Sequence, residues 1–106
     1  MNFQHINCQE LSERLTKEEC QLVDIRDPQS FGLGRIPGSI HLSDRNLDEF
    51  LLEADPDQTT IVVCYHGNSS QQAAAFLAQK DFTDIYSLDG GMEEWRALFP
   101  QQVEHS

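Results

Sequence analysis

The chain has 106 residues, a formal net charge of −11 at pH 7 and a pI near 4.5. That length suits one domain that buries about two thirds of its unfolded surface, and that acidity opposes non-specific binding to nucleic acid or to an anionic membrane surface. Three cysteines, Cys8, Cys20 and Cys64, without a C-x-x-C pair or histidines at zinc-finger spacing, argue against a disulfide framework and a structural zinc site. They read as reduced thiols in a cytoplasmic protein. Met1-Asn2-Phe3-Gln4-His5 lacks the basic and apolar regions of a signal peptide, and no apolar run approaches the ~18 residues of a membrane span, so neither export nor membrane insertion is expected.

Asn7 with Glu10 three residues on has the form of a capping box, and Cys8, Leu11 and Leu15 recur at helical spacing behind it, which predicts a short amphipathic helix after His5-Ile6. Gln21 to Ile25 reads as a short strand carrying one acid, Asp24. Asp27 before Pro28 is an N-cap followed by proline at the first helical position, which predicts a single turn through Phe31. Gly32, Gly34 and Ile36-Pro37-Gly38-Ser39 read as loop, with Pro37-Gly38 as a type II turn. A short strand over Ile40 to Leu42 follows. Asn46 and Glu49 suggest a second capping box, and Leu47, Phe50, Leu51 and Ala54 trace one helical face up to Asp55-Pro56-Asp57.

Thr59 to Cys64 is β-branched and continuously apolar, the pattern of a central strand covered on both faces. After Cys64-Tyr65-His66-Gly67-Asn68-Ser69-Ser70, the pair Ser69 and Gln72 suggests a third capping box, with Ala73, Phe76 and Leu77 on the buried side of a helix ending near Lys80. Ile85 to Leu88 is the last predicted strand and Asp89-Gly90-Gly91 its turn. Met92, Trp95 and Phe99 line a final helix stopped by Pro100, and residues 101–106 read as a loose polar tail. Strands alternating with helices give an α/β domain with a mainly parallel sheet, whose ligands sit beyond the carboxyl ends of the strands, where Cys64 falls.

A cysteine between a buried strand and a helix N-terminus is placed where backbone N–H groups and the helix dipole favour negative charge, so its thiolate is stabilised. Gly67 permits a positive φ or a close backbone approach, allowing successive N–H groups to curl into an anion-binding nest. Asn68, Ser69 and Ser70 add side chains able to donate to a sulfur anion or to cap the helix. The same cradle suits a cysteine persulfide. His66 is either an aid to an acceptor or a solvent-facing loop residue, and it is not needed as a base. Asp24 and Arg26 are expected to bond to each other or to nearby backbone and to support the loop from the neighbouring strand, a mainly structural role. Cys8 and Cys20, without companion motifs, read as inert thiols.

The Cys64–Ser70 loop, the segment Val23-Asp24-Ile25-Arg26-Asp27-Pro28-Gln29-Ser30-Phe31, the Ile36-Pro37-Gly38-Ser39 turn and Asp89-Gly90-Gly91 followed by Trp95 together resemble a single-domain rhodanese, over about residues 6–100. The resemblance implies one domain spanning 1–106, a five-stranded, mainly parallel sheet flanked by helices on both faces, and thiosulfate sulfurtransferase activity. Cys64 would take the outer sulfur of thiosulfate as a persulfide and pass it to cyanide or a thiol acceptor, a thioredoxin-like dithiol among the candidates. Tyr65, His66, Gly67, Asn68, Ser69 and Ser70 would form the substrate loop, with no cofactor and no metal. The chain departs from the family pattern in its neutral loop, in Arg35 where histidine is frequent before the Ile-Pro-Gly turn, and in Asp81 where glycine is frequent after the loop helix. Two alternatives stand beside this one. A persulfide carrier would serve a partner enzyme; a cysteine-loop phosphatase or arsenate reductase would usually need arginine at the sixth position after the cysteine, which here is Ser70.

Overall fold

The β-branched run Thr60-Ile61-Val62-Val63 forms a strand buried along its whole length, and the rest of the sheet is laid out around it. The computed structural model describes residues 2–106, so Met1 of the expected 1–106 domain lies outside the described residues. Five strands, β1 (Gln4–Ile6), β2 (Gln21–Asp24), β3 (Ile40–His41), β4 (Thr60–Val63) and β5 (Ile85–Leu88), pair in the order β1-β5-β4-β2-β3, every neighbouring pair parallel. The register sets Asp24 beside Val63 and Ser87 beside Val62, so β2, β4 and β5 end at the same level. The chain leaves β4 at that rim, into the segment that starts with Cys64.

Five helices cover the sheet: α1 (Cys8–Leu15), α2 (Pro28–Leu33), α3 (Leu47–Glu53), α4 (Ser69–Gln79) and α5 (Gly91–Leu98). The two-residue period of β4 divides the core. Ile61 and Val63 pack with Cys8 and Leu11 of α1 and Met92 and Trp95 of α5, whereas Val62 packs with Phe50 of α3 and Ala74 and Leu77 of α4. Full burial of side chains such as Leu11, Leu77 and Trp95 contributes ~1.5–3 kcal/mol each. No helix among the described residues is long and apolar enough to cross a membrane.

Several local expectations hold. Asn7 and Glu10 form a reciprocal capping box, the Asp27 carboxylate accepts the Ser30 N–H with Pro28 in the first turn, and Gly38 takes φ +86° in a turn closed by the Ser39 N–H on the Ile36 carbonyl. Asp81 adopts φ +73° after α4, the left-handed conformation in which glycine is usual.

Others are corrected. The strand Gln4–Ile6 went unpredicted because it is an edge strand with only Ile6 buried, which leaves no alternation to read. The helix after Asp27 runs to Leu33 and includes Gly32. Asn46 makes no side-chain cap on α3; its amide is spent on the preceding turn, accepting from the Ser43 N–H and donating to the His41 carbonyl. The buried face of α4 is Ser70, Ala74 and Leu77, with Phe76 exposed, because small residues allow the helix to sit close against the sheet. The C-terminal segment is no loose tail. The buried Trp95 indole needs an acceptor and finds the Gln102 carbonyl at 2.9 Å, and Glu104 then bridges to Arg35 through two backbone bonds of 2.9 Å.

Candidate active site

Cys64 follows the last residue of β4 and its Sγ sits under the first turn of α4. The Gly67 and Ser70 N–H groups each donate to this sulfur over 3.2 Å, and the Ser70 hydroxyl lies 3.2 Å from it. Asn68, the residue before the helix, makes no side-chain cap, so the expected box between Ser69 and Gln72 is absent. The sulfur takes the place of the cap: a helix start needs an acceptor for its free N–H groups, and here the acceptor is Cys64.

Burial pushes the Cys64 thiol up, but the Ser70 hydroxyl, the Ser70 and Gly67 amides and the His66 amide together outweigh it and leave the pKa below the ordinary value. The ionised form of the sulfur is thus favoured by oriented dipoles, without a cationic side chain. α4 itself contains no charged residue. Cys8 is the opposite case. Burial first, then the carboxylates of Glu94 and Asp89, raise its thiol to about 11, and Cys20 is also raised, chiefly by burial. Both are free thiols, as is Cys64.

A second helix start fixes the loop backbone. In α5 the Met92 N–H donates to the Cys64 carbonyl at 2.8 Å and the Glu93 N–H to the Tyr65 carbonyl at 3.0 Å. This approach requires Gly91, at φ +60°, where an added Cβ would meet the Tyr65 carbonyl oxygen at 2.4 Å. Gly67, at φ +91°, is similarly constrained, its would-be Cβ lying 2.9 Å from the Gly90 nitrogen. Gln71 closes the loop by donating its side-chain amide to the Gly67 carbonyl at 2.9 Å.

The other sequence-predicted residues divide. Tyr65 is pinned by its hydroxyl to the Asp27 carboxylate and to Ser30 Oγ at 2.6 Å, which ties the loop to α2 and, with the Ser30 amide and hydroxyl, holds Asp27 down to about 2. His66 is exposed, and its contribution is its backbone amide. The Asn68 and Ser69 side chains are exposed and make no hydrogen bond to the sulfur, so of the three small polar residues only Ser70 reaches it. Asp24 and Arg26 form the expected pair, fully buried, with Arg26 Nη2 at 2.8 Å from Asp24 Oδ2 and 2.7 Å from the Gly34 carbonyl. The guanidinium also lies 5.6 Å from the centre of the Tyr65 ring. Arg35 is committed elsewhere, to the Phe31 carbonyl, Glu104 and Ser106. No group of three or more His, Cys, Asp or Glu side chains placed to hold a metal ion occurs among the described residues.

A family model described as the rhodanese-like domain matches residues 7–98, the whole sheet apart from β1 and all five helices. The chain belongs to the rhodanese-like family. It is 54% identical over 101 residues to a protein of Ectopseudomonas mendocina named thiosulfate sulfurtransferase GlpE, a match covering 95% of this chain and 92% of that one. A protein of the same name from Pseudoalteromonas translucida is 47% identical, with 98% and 99% covered. Among solved structures, a rhodanese-related protein of Thermoplasma volcanium superposes with a TM-score of 0.77 at 28% identity, over 92% of this chain and 94% of the other. A rhodanese-like domain protein of Staphylococcus aureus gives 0.83 at 22% identity, over 98% and 99%, which speaks to fold alone.

Some participants in this rhodanese-like site were not singled out from the sequence. The Asp27–Tyr65–Ser30 latch joins residues far apart in the chain, and Gln71 looks like an ordinary helix residue. Ser87, whose hydroxyl is 2.7 Å from that of Ser70, did leave a signal: it is a small hydroxyl within an otherwise large-residue strand, at the rim where the site lies.

Proposed function

We propose that this protein is a thiosulfate sulfurtransferase working through a persulfide on Cys64. The observation that carries the reading is the sulfur of Cys64 receiving the Gly67 and Ser70 amides at a helix start, which favours the thiolate without a general base. Relatives named thiosulfate sulfurtransferase that match nearly end to end support it.

In the first step the thiolate attacks the outer sulfur of thiosulfate. A bond forms between the two sulfurs, the S–S bond of thiosulfate breaks, and sulfite leaves with the electron pair. The persulfide that remains keeps its negative charge on the terminal sulfur, beside the loop whose Gly67 and Ser70 amides face Cys64. In the second step cyanide or a thiolate, for which a thioredoxin-like dithiol is a suitable source, attacks that terminal sulfur, and the Cys64 thiolate departs as the leaving group. Charge stays on sulfur throughout, so fixed dipoles aimed at one place serve both steps. No resident cofactor enters this scheme. Asp24 and Arg26 act as support: they fix the end of β2 beside Val63 and under Tyr65. A working thiolate in a chain of free cysteines suits the reducing cytoplasm.

Parallel assays with thiosulfate plus cyanide and with an aryl phosphate test the reading. Thiocyanate formation abolished by Cys64→Ser is expected, with no phosphate release. Cys64-dependent phosphate release would transfer the loop to oxyanion hydrolysis. Failure to take sulfur from thiosulfate, with ready loading from a cysteine desulfurase persulfide, would make the protein a carrier.

A further inference from the structure

The Ser70 hydroxyl beside Cys64 is itself held by a second hydroxyl. Ser87 Oγ, from β5, lies 2.7 Å from Ser70 Oγ, and Ser70 Oγ lies 3.2 Å from Cys64 Sγ. Ser70 and Ser87 have no solvent exposure, and Ser70 is the only hydrogen-bond partner of the Ser87 side chain among the described residues. The β4–β5 register, with Ser87 opposite Val62, sets this hydroxyl beneath the point where Cys64 leaves the strand.

Three groups in a row admit two directions of donation. With a thiol, Sγ–H donates to Ser70 Oγ, Ser70 O–H donates to Ser87 Oγ, and the Ser87 proton is left without an acceptor in a buried place. With a thiolate, Ser87 O–H donates to Ser70 Oγ and Ser70 O–H donates to the sulfur, and every proton is used. On ionisation the Sγ proton leaves to solvent while the two hydroxyls rotate; no proton passes along the row. Removing Ser87 would move the unused proton to Ser70 without changing that count, so the terminal hydroxyl acts through its own donation: a Ser70 hydroxyl that accepts from Ser87 is the stronger donor to the thiolate.

We propose that Ser87 is a positioning residue, which turns the Ser70 hydroxyl toward the Cys64 sulfur and so favours its ionised form. The proposal rests on the reading of Cys64 as the working thiolate. The charged and titratable groups on the elements around Cys64 are the Asp24–Arg26 pair ending β2, Asp27 before α2, Tyr65 and His66 in the loop, Tyr86 in β5 and Asp89 after it, and Glu93, Glu94 and Arg96 in α5. α4 supplies none. All of these persist when Ser87 alone is changed, so a shift in the Cys64 titration reports the hydroxyl row.

The test is the pH dependence of iodoacetamide alkylation at Cys64, read by peptide mass spectrometry, in the unaltered protein and in Ser87→Ala, Ser70→Ala, the double variant and Ser87→Thr. Ser87→Ala is expected to raise the midpoint by a few tenths of a pH unit, about 10–30% of one charge-assisted hydrogen bond. Ser70→Ala should raise it at least as far, and the double variant no further than Ser70→Ala, because without the middle hydroxyl the terminal one has nothing to turn. Ser87→Thr, which keeps the hydroxyl, should stay at the wild-type midpoint. Should Ser87→Ala not fold, Ser87→Cys, a poor donor, should give the same upward move. An unchanged midpoint in the folded Ser87 variant, or simple addition in the double variant, would overturn the proposal. Alkylation involves no sulfur transfer, so a normal titration in a protein inert to thiosulfate would count against the proposed activity and leave this role of Ser87 standing.

Discussion

The Ser70 amide, in the first turn of α4, points at Cys64 Sγ from 3.2 Å, and α4 correspondingly begins without a side-chain cap at Asn68. Cysteine sulfur and helix start thus satisfy each other. Ionising the sulfur strengthens the bonds that hold the loop, and the loop's geometry in turn favours ionisation.

This coupling has a sign that can be measured. Burial opposes the Cys64 thiolate and the four donors from Ser70, Gly67 and His66 outweigh it, so the folded pKa lies below the unfolded value of 9.0. A depressed acid adds stability that is fully present above the unfolded pKa and disappears as pH falls through the folded one. Urea denaturation of the protein and of Cys64→Ser across this range should show the pH-dependent part of their difference growing with rising pH up to about 9. A difference that shrinks over the same range would contradict the donor arrangement.

Gly91 and Gly38 both have positive φ, yet they should respond differently to alanine. Gly38 has open space around its would-be Cβ, so Gly38→Ala carries only backbone strain, about 1 kcal/mol. At Gly91 the same carbon would strike the Cys64 and Tyr65 carbonyl oxygens at 2.5 and 2.4 Å. Gly91→Ala should therefore cost more than ~2 kcal/mol and also slow Cys64 alkylation, since the loop must shift. Thermal melts and alkylation rates of the two variants make the comparison.

Two ion pairs of different burial offer another contrast. Asp24 and Arg26 are enclosed, and Asp24 is the only carboxylate paired with Arg26 among the described residues, its other partner, the Gly34 carbonyl, being neutral. Asp24→Asn should destabilise by ~3–5 kcal/mol, because it leaves a buried cation without its counter-charge. Arg35 and Glu104 are 3.5 Å apart with the carboxylate side 45% exposed, and Glu104→Gln should cost under ~1 kcal/mol. Denaturant midpoints read both.

The fold was legible where one cause sufficed. The continuous apolar run of β4, the reciprocal cap at Asn7 and Glu10 and the Asp27-Pro28 start each express a local rule that the tertiary structure leaves in force. Local patterns mislead where a group's partner lies far along the chain. Asn46 and Ser69 have the sequence form of caps, but one side chain serves a turn and the other cap is replaced by a cysteine sulfur five residues earlier. The C-terminal segment looks loose because its anchors, the Trp95 indole and Arg35, belong to other elements. At the site, the Cys64 loop was legible from its spacing. The identity of the donors was not: backbone direction decides that Gly67 and Ser70 face the sulfur while the Asn68 and Ser69 side chains face solvent.

The most direct test of the persulfide mechanism is the mass of the intact protein after brief exposure to thiosulfate. A gain of one sulfur atom is expected, with its removal by cyanide to form thiocyanate and no gain in Cys64→Ser. A wild-type protein that keeps its mass while Cys64 titrates as a thiolate, or a Cys64→Ser variant that still acquires the sulfur, would contradict the mechanism.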